Sequence, residues 1–226
     1  MFGRHLFGHI GWVGSKGDDL DSPARPTPFS TISLNHFDGA NLGAIPPDEV
    51  AGLTWTGTGT LRTAEKKFGT ASLRGSAHVA TISFDVTADW TFEFFCFFDV
   101  VGFVTIAIRS DGLDNACQIQ AGAGAVPGDI NVIYTDAGSS FLTQFVPGVV
   151  DASTWHHIAV VRSFTDYSLY FDGSRVAVDT TATNIRLEDT VNTVGFGTYL
   201  DEFRLSQGAR YTGATYTVPA APFIVD

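Results

Sequence analysis

The sequence predicts an all-β fold, and three observations carry that prediction. Helix-forming residues are scarce, with three Lys, five Glu and one Met in 226 residues, while Phe, Val, Thr and Gly abound. From Phe29 onward, short alternating runs are separated by turn residues at the spacing of a sandwich. Asp172-Gly173 lies between two alternating runs in SLYFDGSRVAV, a strong short-range hairpin signal.

Taken in chain order, the predicted strands are TISLNHF, SLRGS, HVATISFDV, WTFEFFCFFDV, VTIAIRS, ACQIQA, DINVIYT, SFLTQFV, WHHIAVVRS, SLYFDGSRVAV, NTVGFG and YLDEFRLS. Twelve short segments without a helical period imply two packed antiparallel sheets, a jelly roll. No repeat of about 20 to 50 residues is present, which disfavours a propeller or solenoid. In WTFEFFCFFDV one face carries Phe92, Phe94, Cys96 and Phe98, and the other carries Phe95 and Phe97 beside Glu93 and Asp99. A strand apolar on both faces is buried on both. Its outer side must meet either a loop of this chain or another chain.

Residues 1–30 differ from the sandwich of residues 31–226. They combine Gly-spaced apolar residues, Phe2, Leu6, Phe7, Ile10, Trp12 and Val13, with the polar stretch SKGDDLDSPARPTP. Such a segment cannot build its own core. It reads as an arm that docks those six side chains on a partner or on this domain.

A net charge of −11 repels a phosphate backbone, so nucleic acid is not an expected partner. No apolar run approaches the ~20 residues of a membrane span. The N-terminal stretch lacks a continuous apolar region and a small-residue cleavage site, so no secretory signal is read there. Cys96 and Cys117 each sit in an apolar run and read as reduced core thiols, with a disulfide between them as the alternative.

No constellation of catalytic residues emerges. None of Glu49, Glu65, Glu93, Glu188 or Glu202 begins an E-x-D-x-x-E run, the pattern that places paired carboxylates of some sandwich glycosidases on one strand face. The tandem His156-His157 points to opposite faces of a strand and cannot chelate one ion, so its role reads as structural. There is no G-x-S-x-G elbow, and no glycine-rich turn introduces a helix.

YLDEFRLSQGARYTG (199–213) holds the most suggestive carboxylates. Strand alternation places Asp201 with Phe203 and Leu205 on the core face, and Glu202 with Arg204 on the solvent face. An apolar-face carboxylate must be satisfied by backbone N–H groups, a hydroxyl, an Arg or a cation. A purely hydrogen-bonded carboxylate is the first reading of Asp201, and calcium is the alternative, with Asp201 and Asp38, the latter in the oxygen-rich HFDGAN, as its candidate ligands.

Several stretches in order carry a family resemblance: LNHFDGAN (34–41), KFGTASLRG (67–75), DWTFEFFCFF (89–98), WHHIAVVRS (155–163), LYFDGSRVA (169–177), YLDEFRLSQGARYTG (199–213) and TVPAAPF (217–223). The chain resembles the laminin G-like, concanavalin A-like jelly-roll modules of bacteriophage virion proteins. The resemblance implies an antiparallel sandwich used for binding or virion architecture without catalysis. Joined to the arm and to the lack of a secretory signal, it gives the first expectation, a capsid decoration or tail-associated module on a virion surface, assembled in the host cytoplasm and anchored to other virion proteins by residues 1–30. It also implies a rim position for calcium, onto which Asp38 and Asp201 map. A glycan-binding adhesin for the host surface is the second expectation, with Trp55, Tyr199, Tyr211 and Tyr216 as candidate rings to stack on sugar and a packed core or rim role as the equal alternative for each.

Overall fold

The computed structural model describes residues 29–75, 77–82, 85, 87–99, 104–109, 116–121, 128–136, 139–181, 190–194 and 198–226. The docking residues Phe2, Leu6, Phe7, Ile10, Trp12 and Val13 lie outside them. Fifteen strands are described: β1 (Ser30–Asn35), β2 (Trp55–Gly57), β3 (Thr60–Arg62), β4 (Ser72–Arg74), β5 (Ala77–Ile82), β6 (Trp90–Phe98), β7 (Val104–Arg109), β8 (Ala116–Ala121), β9 (Ile130–Asp136), β10 (Ser139–Val146), β11 (Trp155–Ser163), β12 (Asp166–Phe171), β13 (Ser174–Thr180), β14 (Thr190–Val194) and β15 (Thr198–Gln207). The expected run SLYFDGSRVAV divides at its Asp-Gly turn into β12 and β13. The three-residue strands β2 and β3 are too short to give alternation a foothold, and the sequence reading missed both.

All pairings are antiparallel, in two sheets. An eight-stranded sheet runs β13-β12-β11-β6-β15-β4-β3, with β1 also paired to β15, and a seven-stranded sheet runs β10-β9-β8-β7-β14-β5-β2. β15 follows β6 along nearly its whole length. Its other edge meets β4 through Tyr199 and Leu200, and β1 from Phe203 to Gln207. The expected two-sheet antiparallel sandwich is the fold observed.

Core residues alternate as a strand period of two demands. Trp90, Phe92, Phe94, Cys96 and Phe98 of β6 join Ile158 and Val160 of β11 and Leu200, Phe203 and Leu205 of β15. Cys117, Ile119, Ile130, Val132 and Tyr134 face them from the other sheet. Cys96 and Cys117 are both buried and unpaired, and burial raises both thiols far above their ordinary range. A further inter-sheet tie is polar: the Gln144 amide of β10 donates to the Tyr167 carbonyl of β12 at 2.7 Å.

The second face of β6 is closed by this chain itself. Phe95 packs on Phe68 and on Phe223, both outside the strands. Residues 208–226 form a strap that crosses the outer side of the eight-stranded sheet. Tyr211, Tyr216 and Ala209 pack on Ala159, Val161 and Tyr170, while Phe223 and Val218 pack near Leu34 and Phe95. Backbone bonds fasten the strap to the β12–β13 turn, Tyr216 N–H to the Gly173 carbonyl at 2.8 Å and Arg175 N–H to the Ala214 carbonyl at 2.9 Å. Gly173 has φ +81°, and a Cβ there would lie 2.5 Å from the Tyr216 carbonyl oxygen. The hairpin glycine is thus needed twice, for its turn and for the strap's close approach.

Candidate functional site

The outer face of the eight-stranded sheet holds a buried polar cluster centred on Glu93. Its Oε1 accepts from Arg204 Nε at 2.8 Å and lies 2.7 Å from Arg204 Nη2 and 3.5 Å from Arg210 Nε. Its Oε2 accepts from the Tyr211 hydroxyl at 2.7 Å and lies 3.3 Å from His157 Nε2. His157 Nδ1 in turn meets the Tyr216 hydroxyl. Burial works against the charge of Glu93, but His157, Arg204 and Tyr211 together hold its carboxyl below the ordinary range. Above this cluster the rings of Tyr211 and Tyr216 stack with centroids 3.7 Å apart and planes 11° from parallel.

A β-bulge in β15 builds the arrangement. Asp201 stands opposite Phe95 and Arg204 opposite Glu93, so two residues of β15 span one of β6, and Glu202 takes a left-handed φ of +54°. This corrects the alternation read from the sequence. Asp201 lies on the outer face with Arg204, not on the core face with Phe203 and Leu205. Glu202 and Arg204 are buried rather than a solvent pair. The Glu202 carboxylate accepts from Phe223 N–H at 2.8 Å and from His36 Nδ1 at 2.7 Å. That hydrogen bond raises the His36 pKa, with Glu49 adding to it.

Asp201 and Asp38 grip one loop from two sides. Asp201 Oδ2 accepts from Lys67 N–H at 2.7 Å and Phe68 N–H at 3.1 Å, and its Oδ1 accepts from Glu202 N–H at 3.0 Å. Asp38 Oδ1 accepts from the Thr70 amide and hydroxyl and from Ala71 N–H. Both Asp201 oxygens and Asp38 Oδ1 therefore face N–H donors, whose positive ends a cation would repel. Among the described residues no three His, Cys, Asp or Glu side chains gather into a metal-holding group. Of the two readings left open for Asp201, the geometry supports the hydrogen-bonded carboxylate.

The four rings expected to stack on sugar are engaged elsewhere. Trp55 is only 4% exposed and sits edge-on between Phe37 and Phe203 in the core. Tyr199 is buried under the Arg74 guanidinium, 4.9 Å from its ring. Tyr211 and Tyr216 cover one another and spend their hydroxyls on Glu93 and His157. His156 faces the core side, 2.7 Å from Asp172, consistent with the opposite-face reading of the tandem histidines.

The outward face of the seven-stranded sheet is different. Phe145, Asn131 and Gln120 are cross-strand partners in one row, and Thr143, Ile133 and Gln118 in the next. Partners in register share a face, and these six are half-buried or exposed. The Phe145 ring is 50% exposed. Strands ~4.8 Å apart set Phe145 and Gln120 about 10 Å from each other, roughly two sugar rings. An exposed ring beside amide donors and acceptors can stack on a sugar's C–H face while pairing with its hydroxyls. Sequence reasoning missed this surface because each residue is unremarkable in its own strand, and only the register assembles the row.

Two consequences of the buried groups can be measured. Glu93→Gln leaves the Arg204 and Arg210 charges without their buried counter-ion, and urea unfolding is expected to show a loss of about 3–5 kcal/mol. Burial pushes the Asp201 carboxyl up to about 7, so the folded state holds a proton that the unfolded state releases near pH 3.9. That stabilisation is complete below about pH 4 and disappears as pH rises through 7. Between pH 5 and 8 the parent is expected to lose about 2–3 kcal/mol more than Asp201→Asn, with the His36 contribution common to both proteins.

Comparison with known proteins agrees with this architecture. Residues 72–213 match the family model described as the concanavalin A-like lectin/glucanases superfamily. A search of curated proteins finds no match. Among solved structures, domain 4 of AbnA, a GH43 extracellular arabinanase from Geobacillus stearothermophilus solved with arabinotriose, aligns over 80% of this chain and 94% of its own, at 12% identity and a TM-score of 0.59. The carbohydrate-binding module CBM66 from Bacillus subtilis covers 68% of this chain and 94% of its own, at 13% identity and a TM-score of 0.46. The apo Crh5 transglycosylase covers 85% and 92%, at 13% identity and a TM-score of 0.49. At 12% identity the likeness to the arabinanase domain is one of fold. With the family model spanning more than half its length, the chain belongs to the concanavalin A-like lectin/glucanases superfamily.

Proposed function

We propose that the protein is a non-catalytic glycan-binding module. The observation that carries this reading is the contrast between the two outer faces. One is sealed by the chain's own strap, and the other presents Phe145, Asn131, Gln120, Thr143 and Gln118 in two adjoining rows. Glu93, Asp201 and Glu202 are inaccessible to a scissile bond, since Arg204, the loop at Lys67 and Phe68, and Phe223 enclose them. The arabinanase domain with the same fold was solved with arabinotriose, which makes arabino-oligosaccharides a sensible first probe.

A second reading concerns where the module is carried. It is a surface component of a bacteriophage virion, a capsid decoration or tail-associated protein that meets host-surface glycan and is anchored to other virion proteins by residues 1–30. The ordered set of motifs from HFDGAN to TVPAAPF supports it, as does an acidic charge that keeps the module off nucleic acid.

On a glycan array the parent protein is expected to bind a neutral oligosaccharide. Phe145→Ala should weaken that binding roughly tenfold, the scale of one well-placed contact, and leave stability within about 0.5 kcal/mol. Absence of any signal for the parent would sink the glycan reading. For the virion reading, mass spectrometry of purified particles should find the chain at a fixed copy number, and deleting residues 1–30 should abolish incorporation. Normal incorporation of the truncated protein would remove the arm from its anchoring role.

A further inference from the structure

The hairpin between β11 and β12 closes with Ser163 opposite Asp166, leaving the two-residue loop Phe164-Thr165. At its first position the backbone is left-handed, with φ +55° at Phe164. Glycine, asparagine and aspartate suit that position, and a bulky ring there is an outlier. Packing gives no return for this strain, because Phe164 is 70% exposed, among the most exposed large apolar residues described. Strained residues cluster at functional sites, which makes this one a candidate.

The tip is also held rigidly. Phe164 N–H donates to Asp89 Oδ1 at 2.6 Å, and Thr181 N–H donates to the Thr165 carbonyl at 2.9 Å. One residue before the turn's closing pair, Arg162 Nη1 donates to the Thr87 and Ala88 carbonyls at 2.6 and 2.5 Å. The loop is fastened on one side to residues 87–89 and on the other to the strand end at 180–181. A ring presented on such a support loses little freedom on binding.

Its surroundings select the ligand. The exposed side chains of Asp85, Thr87, Thr165 and Thr180 and the half-exposed Asp166 belong to the segments that meet at this tip. Thr87 Oγ1 donates to Asp85 Oδ1 at 2.6 Å and Thr180 Oγ1 to Asp166 Oδ1 at 2.7 Å, so among the described residues the ring is flanked by two hydroxyl–carboxylate pairs, and hydroxyls and carboxylates beside one apolar face match a sugar ring. The carboxylates disfavour an anionic glycan. We infer that the Phe164 hairpin tip is a second glycan contact, separate from the Phe145 face, at which the ring stacks on a neutral sugar. This inference rests on the glycan-binding reading above.

The test uses the full chain against immobilised neutral polysaccharides (arabinan, xylan, mannan and β-glucan), with hyaluronan as the anionic control. Phe164→Gly relieves the backbone and should raise Tm by about 2–4 °C, yet weaken retention on the neutral polymer roughly tenfold. Phe164→Trp should restore retention, since it returns a ring to the same support. A gain in Tm with unchanged retention, while Phe145→Ala still weakens binding, overturns the tip contact and leaves the sheet-face reading standing. Loss of binding that Phe164→Trp does not restore also overturns it. Failure of the parent to bind any neutral polymer overturns both.

Discussion

A strand that is apolar on both faces must be covered on both, and the outer half of this structure follows from that requirement at β6. Phe95 cannot be left in water beside Thr91, Glu93 and Phe97, so residues 208–226 cross the sheet and supply Tyr211, Tyr216 and Phe223 as a lid. Covering Phe95 also removes Glu93 from solvent. A lone buried carboxylate would cost several kcal/mol, which is why Arg204, Arg210, Tyr211 and His157 converge on it. Strap and cluster depend on each other: Tyr211 is both a piece of the cover and a ligand of the charge it covers.

The bulge at Glu202 makes this arrangement geometrically available. A regular β15 would place Arg204 and Asp201 on opposite faces. One extra residue brings them to the same face, so Arg204 reaches Glu93 and Asp201 reaches the loop at Lys67 and Phe68. The bulge residue is then free to use its own carboxylate on Phe223 N–H and His36. Three polar roles, at Asp201, Glu202 and Arg204, arise from one local irregularity. A left-handed φ on a glutamate is the strain that accompanies it.

This irregularity also marks the limit of what the sequence conveyed. Alternation located the long strands, the Asp172-Gly173 hairpin and the doubly apolar β6, because each depends on side-chain period or turn chemistry within a few residues. It misassigned Asp201, Glu202 and Arg204, because a bulge shifts the period without changing the residue types. Trp55 stayed open between a sugar-stacking ring and a core residue, because an aromatic in a three-residue strand carries no phase. The row Phe145, Asn131 and Gln120 was invisible for another reason, since it exists only across three strands whose register is set by the whole sheet.

Many residues of the motifs that carry the resemblance are ones that close the sandwich. Gly173 admits the strap, Asp38 and Asp201 hold the loop of KFGTASLRG, and the DEFRLSQGARYTG run supplies the bulge, the Glu93 counter-ions and the stacked tyrosines. Such residues report architecture and are silent about ligand. The proposed recognition rests instead on positions that architecture does not need. Among the described phenylalanines, Phe29, Phe145 and Phe164 are the exposed ones, and Phe29 lies under the Arg210 guanidinium, 5.1 Å away. Of these, Phe145 lies on the outward face of the seven-stranded sheet and Phe164 on a strained turn, and packing among the described residues explains neither position.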